Sequence, residues 1–360
     1  MKSPIVFLLC FMCCIVSCQQ QLILQTPPSS VKNLLGNKVS TDSLDAFLET
    51  AMQQLKVQGL SFVLINEGKI VHKVVKGYAN VENNTKATDK TIFEGASLSK
   101  PLFAYLVLMA VEEGKIDLDQ PLYQYLPHDD LAEDERYQKI SARMVLSHTT
   151  GLPNWRPEGG ELKLQFEPGT SFGYSGEGYQ YLAKVLAHIY ETNDIGLETI
   201  YQKKIAKPFK MNVTKYIQDE YNLTNKAKPY DNGERIEGEA VTQEFGAAYS
   251  LHSEAEDFAK WMIAVMEERG LSKSSYDEFF KPQITLPEDA LQRQQGVTDW
   301  TLGWAKATLP FGTVYAHGGN NPGYTSLIAL DRDQKWGFVM FTNANQSEMA
   351  LQTIFYLNSQ

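Results

Sequence analysis

The sequence predicts a mixed α/β fold of the α+β class, with one antiparallel sheet built from both chain ends and flanked by helices. Strand-like segments occur within residues 60–78 and return within residues 300–341. The chain between them contains amphipathic helical segments joined by long loops rich in Pro and Gly. Residues 97–245 are therefore predicted to be a large all-helical insertion that covers one side of the sheet.

The first elements follow from the spacing of apolar residues. Residues 42–57 carry apolar side chains at helical spacing, which predicts an amphipathic helix. Residues 60–65 and 69–78 have strand character, and the tripeptide Asn66-Glu67-Gly68 between them is a hairpin signal. A long apolar stretch at residues 98–113 predicts a second, more deeply buried helix.

The later elements are predicted in the same way. Helices are expected at residues 179–190 and 347–357, and strands at residues 300–305, 313–317, 325–330 and 337–341. The globular part then spans residues 42–345, with a sheet part at 42–96 and 246–345 and a helical part at 97–245. Residues 346–360 form a C-terminal helix that is expected to pack on the sheet.

The N-terminus has the features of an export signal. Lys2 precedes an apolar run at residues 5–16, which is too short to span a membrane. The run ends in Ile15-Val16-Ser17-Cys18, which resembles a bacterial lipobox. This resemblance implies a signal peptide at residues 1–17, lipidation of Cys18 and a flexible tether at 18–41. An exported, membrane-anchored lipoprotein in the periplasm or on the cell surface is expected; the alternative is an ordinary secretory signal cleaved nearby.

The positions of the cysteines and the net charge exclude several classes of function. The cysteines are Cys10, Cys13, Cys14 and Cys18, so none lies in the globular part. This excludes disulfides, cysteine metal sites and thiolate catalysis after residue 18. The formal net charge of −10 and the lack of a basic run argue against a nucleic-acid partner. No metal-binding or nucleotide-binding motif occurs, so no metal and no cofactor are expected.

The tetrad Ser97-Leu98-Ser99-Lys100 is the first candidate for chemistry. Ser97 and Lys100 are three residues apart at the start of a predicted helix, so their side chains share a face. Burial of Lys100 would favour its neutral amine, which can accept the serine proton and make the hydroxyl a nucleophile. A second tetrad, Ser29-Ser30-Val31-Lys32, lies in a polar N-terminal stretch and shows that the bare pattern has little specificity.

Two further segments supply groups that such chemistry needs. In Gly173-Tyr174-Ser175-Gly176, a tyrosine between glycines can present its hydroxyl to a cleft, and a nearby charged lysine would lower the pKa of Tyr174. In His317-Gly318-Gly319-Asn320, the glycines let a substrate backbone approach, and the imidazole could donate a hydrogen bond or, when protonated, attract a carboxylate. The alternative for each is a purely structural Tyr or His.

With these segments the chain resembles the serine β-lactamase and penicillin-binding-protein superfamily, in its class C β-lactamase-like and D-alanyl-D-alanine-carboxypeptidase-like branch. The resemblance covers about residues 42–345. It is carried by segments in the family order, at residues 93–100, 114–121, 146–152, 168–175 and 317–323. It implies a β-lactamase/transpeptidase-like fold.

The resemblance also implies roles for individual residues. Ser97 would be the acylated nucleophile, Lys100 its proton acceptor, and Tyr174 the general base and acid for the leaving group and the deacylating water. His317 stands where many β-lactamases carry a lysine. The backbone N–H groups of Ser97 and Asn320 would form the oxyanion hole.

The glycines of the last segment, Gly318 and Gly319, would contact the substrate, as would Ser175 and Gly176. The family's Tyr-x-Asn is here Tyr174-Ser175-Gly176, so the side-chain amide that would hold a substrate amide is absent. The segment at residues 147–151 is expected to be structural and to shape the loop near the cleft.

These observations favour an exported serine hydrolase that forms an acyl-enzyme on Ser97. Its substrate would be a small amide or ester, such as a D-amino-acid peptide or a carboxylic ester. Gly176 and His317 weaken the case for an efficient β-lactamase, which remains an alternative. A second alternative is a non-catalytic, membrane-tethered binding or sensor module on the same fold.

Overall fold

The computed structural model describes residues 28–238, 241, 243–310 and 312–359. The predicted signal peptide, Cys18 and the first part of the predicted tether lie outside the described residues. Within those ranges, none of the helices combines the length and the apolar character needed to cross a bilayer.

The elements are numbered in chain order. The strands are β1 (Ser30–Lys32), β2 (Lys38–Ser40), β3 (Gly59–Asn66), β4 (Lys69–Asn80), β5 (Thr85–Lys86), β6 (Phe93–Ala96), β7 (Tyr230–Asp231), β8 (Glu234–Arg235), β9 (Leu251–Ser253), β10 (Ile284–Thr285), β11 (Asp299–Trp300), β12 (Ala305–Leu309), β13 (Gly312–Asn321), β14 (Tyr324–Asp331) and β15 (Trp336–Thr342). The helices are α1 (Thr41–Gln54), α2 (Ser99–Glu112), α3 (Ala142–Leu146), α4 (Gly176–Ile189), α5 (Asp194–Tyr201), α6 (Glu220–Asn225), α7 (Ala255–Met266), α8 (Lys273–Phe280), α9 (Leu291–Gln294) and α10 (Ser347–Ser359).

One large antiparallel sheet organises the molecule. Its strand order is β10-β11-β12-β13-β14-β15-β3-β4-β5. The last strand of the C-terminal group, β15, pairs with β3, for example at Val339 and Val63. The prediction of one sheet assembled from both chain ends and flanked by helices is therefore confirmed.

The two faces of the sheet bury two different cores, because side chains alternate along a strand. On β3, Val63 and Ile65 belong to the larger core, which lies beneath α2, α4 and α7. Phe62 and Leu64 point to the other face, where α1 and α10 pack. The C-terminal helix thus packs on the sheet, as expected from the sequence.

Helix α2 lies at the centre of the larger core. Nearly all of its side chains from Ser99 to Leu108 are buried, including that of Lys100. Its residue Tyr105 makes edge-on contacts with Trp261 and Phe279, and Trp261 stacks on Trp304 at 5.7 Å. This aromatic packing holds the helix that carries Lys100 in a fixed position in the interior.

Three predictions about the elements are wrong in part. Residues 301–304 form a turn between β11 and β12 instead of continuing a strand from 300 to 305. The insertion at 97–245 is not all-helical, because it contains the small hairpin β7–β8 in addition to helices and loops. The predicted tether is also too long: β1 and β2 pair with each other, and Val31 and Val39 are buried in the core beneath α1.

Candidate active site

Ser97 lies at the junction between β6 and α2. The residue before it, Ala96, has a φ of 46°, a left-handed conformation that costs a non-glycine residue about 1–2 kcal/mol. Two hydroxyls hold this junction: Ser99 Oγ donates to Ala96 O at 2.6 Å, and Ser326 Oγ donates to Gly95 O at 2.8 Å. The strained turn leaves Ser97 partly exposed at the start of a buried helix.

Lys100 lies directly beneath the serine. Its Nζ is 3.1 Å from Ser97 Oγ and donates to Ala248 O at 2.8 Å. The residue is 0% exposed, and this burial lowers the pKa of Lys100 to about 7. Near neutral pH, a large fraction of the amine is therefore uncharged and able to accept a proton from Ser97.

Tyr174 is held over the same pair of residues. The Ser97 side chain lies close enough to its hydroxyl to influence the pKa of Tyr174, and Lys100 Nζ is 4.8 Å from the centre of its ring. His148 fixes the backbone on both sides of Tyr174. Its carbonyl oxygen accepts from Gly173 N at 2.8 Å, and its Nδ1 accepts from Ser175 N at 3.0 Å. The His148 ring also lies 4.2 Å from the Tyr174 ring.

The expected effect of Lys100 on Tyr174 is wrong. Burial raises the pKa of Tyr174 above its usual range, and the hydrogen bond from Ser97 offsets only part of this rise. The cost of placing a phenolate among Trp300, His148 and His317 exceeds the benefit of the nearby lysine. Tyr174 is therefore protonated at neutral pH, which suits a proton donor better than an initial base.

His317 is the fourth predicted residue of the site, and its imidazole is neutral. It is 3% exposed, and its Nδ1 donates to Gly318 O at 2.8 Å. Burial, reinforced by the charge of Lys100, lowers the pKa of His317 to about 3. The imidazole is therefore neutral near pH 7, which argues against a protonated partner for a carboxylate, and the role of His317 as a hydrogen-bonding group stays a prediction.

Strand β13 runs past the serine with one edge open. Within the described residues, β12 pairs with β13 only from Leu309 to Ala305, opposite Gly312 to Ala316. A Cβ added to Gly319 would lie 2.3 Å from Gly95 O and 3.1 Å from Ser97 N, so only glycine allows this approach. Gly318 and Asn320 are exposed on either side of it, and the oxyanion-hole role of Asn320 stays a prediction.

Ser175 and Gly176, which are predicted to contact the substrate, are both buried. Ser175 is buried and caps α4: its Oγ accepts from Gly178 N at 3.0 Å and donates to Pro153 O at 2.9 Å. Gly176 is buried beneath Trp155. Contact of Ser175 and Gly176 with the substrate therefore stays a prediction, and what the structure shows for both residues is a packing role at the start of α4.

The structure brings together Ser97, Lys100, Tyr174 and His317, which lie up to 220 positions apart in the sequence. It adds three residues that sequence reasoning did not place in the site: Ala248, Trp300 and Trp155. Ala248 acts through its backbone carbonyl, which has no sequence signature. Trp300 packs edge-on against His317 at 5.7 Å, a contact that depends on the turn at 301–304.

Comparison with known proteins shows the family of the chain. The sequence model described as Beta-lactamase matches residues 44–358 of the chain. The chain belongs to the Beta-lactamase family. This family forms part of the superfamily of serine hydrolases that includes penicillin-binding proteins, as the segments around Ser97, Tyr174 and His317 imply.

Individual Beta-lactamase relatives are distant in sequence. Protein flp of Staphylococcus aureus (strain NCTC 8325 / PS 47) is 23% identical over 351 residues, which cover 89% of this chain and 66% of flp. The chain thus spans just under two thirds of the length of flp. Penicillin-binding protein 4* of Bacillus subtilis (strain 168) is 24% identical over 357 residues, covering 86% of this chain and 73% of that protein.

Solved structures share the β-lactamase/transpeptidase-like fold. A class C β-lactamase superposes with a TM-score of 0.74 at 21% identity, covering 89% of this chain and 95% of that one. The D-alanine carboxypeptidase AmpC from Burkholderia cenocepacia gives 0.73 at 17% identity, covering 89% and 99%. The D-amino acid amidase from Ochrobactrum anthropi SV3, complexed with L-phenylalanine amide, gives 0.72 at 19% identity, covering 88% and 98%.

Proposed function

We propose that this protein is a serine hydrolase that forms an acyl-enzyme on Ser97 and cleaves a small, uncharged ester or amide. The observation that carries the proposal is the buried Lys100 amine, 3.1 Å from Ser97 Oγ and with a pKa lowered to about 7. A lysine buried without a carboxylate partner is costly, and such perturbed groups cluster at functional sites. At this site, burial makes the Lys100 amine a base that contacts the Ser97 hydroxyl.

The groups support a complete proton path. Neutral Lys100 accepts the Ser97 proton as Oγ attacks the substrate carbonyl. Tyr174 donates its proton to the leaving group as the carbonyl-to-leaving-group bond breaks, and the proton on Lys100 passes to Tyr174. Water then attacks the acyl-enzyme carbonyl and gives its proton back through the same groups, which restores Ser97 and releases the acid. No metal or cofactor is required in this sequence.

The charge of the site favours uncharged substrates. Penicillins and peptides ending in D-alanine carry a carboxylate, which a cation close to the reacting bond would stabilise. His317 is neutral here, and Lys226, near the end of β13, is already paired with Glu94 at 2.6 Å. The β-lactamase alternative is therefore less well supported than ester or amide hydrolysis, although a carboxypeptidase and an amidase share the fold.

The binding-module alternative receives little support from the site. In the sequence, the absence of the family's Asn at position 176 favours such a module, but the Trp155 ring fills the space of that side chain. The nucleophile, the base and the proton donor all remain in contact. A binding module would have no need of a buried, partly neutral lysine next to a serine.

Rates on matched substrates test the proposal. We expect the purified protein to hydrolyse p-nitrophenyl acetate and N-acetyl-D-phenylalanine amide at least about tenfold faster, in kcat/KM, than nitrocefin or a D-alanyl-D-alanine peptide. Release of nitrophenol, ammonia, D-alanine or opened β-lactam provides the readout for each substrate in turn. Faster turnover of nitrocefin than of any ester or amide would instead establish the β-lactamase alternative.

We also propose that the protein is an exported bacterial lipoprotein anchored through Cys18. The support comes from the sequence, in the charged start, apolar run and lipobox-like end of the leader. The expected result is that wild-type protein incorporates labelled palmitate and sediments with membranes, whereas Cys18→Ala does neither. Membrane association of Cys18→Ala equal to that of the wild type would contradict lipid anchoring at this residue.

A further inference from the structure

Trp155 occupies the place where a side chain at position 176 would project. A Cβ added to Gly176 would lie 2.8 Å from Trp155 Cη2 and 2.9 Å from Trp155 Cζ2. It would also lie 2.8 Å from Asn154 O. Position 176 is glycine where the family has Asn, and the indole ring of Trp155 fills the space that an Asn side chain would occupy.

The loop that carries Trp155 is firmly attached to the start of α4. Asn154 O accepts from Gly176 N at 3.0 Å and from Glu177 N at 3.1 Å. On the other side of the tryptophan, Arg156 N donates to Glu177 Oε1 at 3.1 Å, and the Arg156 guanidinium pairs with the same carboxylate. Bonds on both sides of Trp155 thus fix its position relative to the helix that follows Tyr174.

Although its backbone is fixed, the Trp155 side chain is available for contact. The residue is 46% exposed, and its ring meets the Tyr249 ring edge-on at 5.6 Å and 81°. Tyr249 follows Ala248, whose carbonyl accepts from Lys100. The two rings therefore form an aromatic corner that adjoins the reacting groups. We define this corner by Trp155 and Tyr249.

The order of groups along β13 shows which part of a substrate the corner would meet. His317, at one end of the open edge, lies beside Tyr174, with ring centres 6.1 Å apart. Gly319, in the middle, lies against Ser97. Asn321, at the other end, donates through Nδ2 to Tyr249 O at 3.2 Å. The scissile carbonyl at Ser97 thus has Tyr174 on one side and the aromatic corner on the other.

This order places the leaving group and the acyl group of the substrate toward opposite ends of the open edge of β13. Because Tyr174 must protonate the leaving group, the leaving group lies toward the His317 end of the strand. The acyl group then extends toward Asn321 and the aromatic corner. Planar apolar groups fit such a corner, since a third ring can pack against the exposed indole face while meeting the edge of another ring.

We propose that Trp155 and Tyr249 form an acyl-group subsite that selects substrates with an aromatic ring one carbon from the scissile carbonyl, such as arylacetyl esters and amides. This inference deepens the proposed hydrolase function and rests on it for the orientation of the substrate. Trp155 is the specificity-determining residue, because its ring replaces the amide-binding side chain expected at position 176.

Two esters with the same leaving group test the subsite: p-nitrophenyl phenylacetate and p-nitrophenyl acetate. We expect Trp155→Ala to lower kcat/KM for the phenylacetyl ester about tenfold while changing that of the acetyl ester less than about twofold. Trp155→Phe should retain most of the preference. Phe355→Ala, at an aromatic residue 74% exposed on α10 and away from the site, is the matched control and should leave both rates unchanged.

An unchanged ratio of the two rates in Trp155→Ala, or an equal loss on both esters, would overturn the subsite. Thermal melting of each variant separates a loss of fold from a loss of selectivity. If wild-type protein hydrolyses neither ester, binding of phenylacetamide and acetamide is compared by calorimetry. Weaker phenylacetamide binding in Trp155→Ala supports the subsite even though hydrolysis has failed, and equal binding in both proteins overturns it.

Discussion

Ser97→Ala is expected to reduce hydrolysis more than about 10⁴-fold while leaving the fold intact, because removing an activated nucleophile removes the covalent route. The side chain is partly exposed, and the hydrogen bonds that shape the turn come from Ser99 and Ser326. A fluorophosphonate provides a direct readout: Ser97 Oγ bonds to phosphorus and fluoride leaves. The intact mass of wild-type protein should show one adduct, and that of Ser97→Ala none.

The chain offers a matched control in its second Ser-x-x-Lys tetrad. Ser29 is exposed next to β1, and its tetrad lacks the buried lysine and the strained turn. Ser29→Ala should label and turn over as wild type does. Full labelling of Ser97→Ala would mean that another group is the nucleophile, and an unlabelled but folded wild type would make the binding-module alternative the better one.

Lys100→Met is expected to have two opposite effects. Turnover should fall by more than about 10³-fold, because methionine cannot take the serine proton. Stability near neutral pH should rise, because the fully buried amine has its pKa lowered from 10.5 to about 7 by burial alone. A shift of that size corresponds to at most about 5 kcal/mol, at 1.4 kcal/mol for each unit. Thermal melting measures the stability, and the lost hydrogen bond to Ala248 O will reduce the gain.

The direction of the pH dependence follows from the same shift. Between pH 7 and pH 10.5 the unfolded chain holds a proton on Lys100 that the folded protein has released, so this group makes wild-type stability rise with pH. Lys100→Met should lack that rise. In the wild type, kcat/KM should increase about tenfold per unit of pH below 7 and then level off, as the amine becomes neutral.

An exposed lysine provides the comparison for these measurements. Lys203→Met changes a side chain on the surface of the helical part and should alter neither turnover nor the pH dependence of melting. A wild-type rate independent of pH between 5 and 7 would be inconsistent with Lys100 as the base. Lower stability of Lys100→Met at every pH would show that its contact with Ala248 O outweighs the cost of burial.

Much of the fold and part of the site could be predicted from the sequence, because both depend on local patterns. Short runs of strand-forming residues predicted β3, β4, β14 and β15, and the apolar run after Ser97 predicted α2. The turn at 301–304 was missed because Trp304 is an aromatic residue typical of strands, yet it leaves the strand to stack on Trp261 in the core. The N-terminal hairpin was missed because two short strands, β1 and β2, gain their stability from packing beneath α1.

For the site, the sequence by itself determined the chemical groups, since Ser97 and Lys100 meet wherever a helix forms between them. Only the tertiary structure decided their charge states and surroundings. The pKa of Tyr174 rises and that of His317 falls because both rings are desolvated by packing against Trp300, which belongs to a distant strand. Desolvation depends on every element packed around a group, so residue spacing does not reveal it. The same holds for Trp155, which reaches Gly176 only because the loop before it folds back on α4.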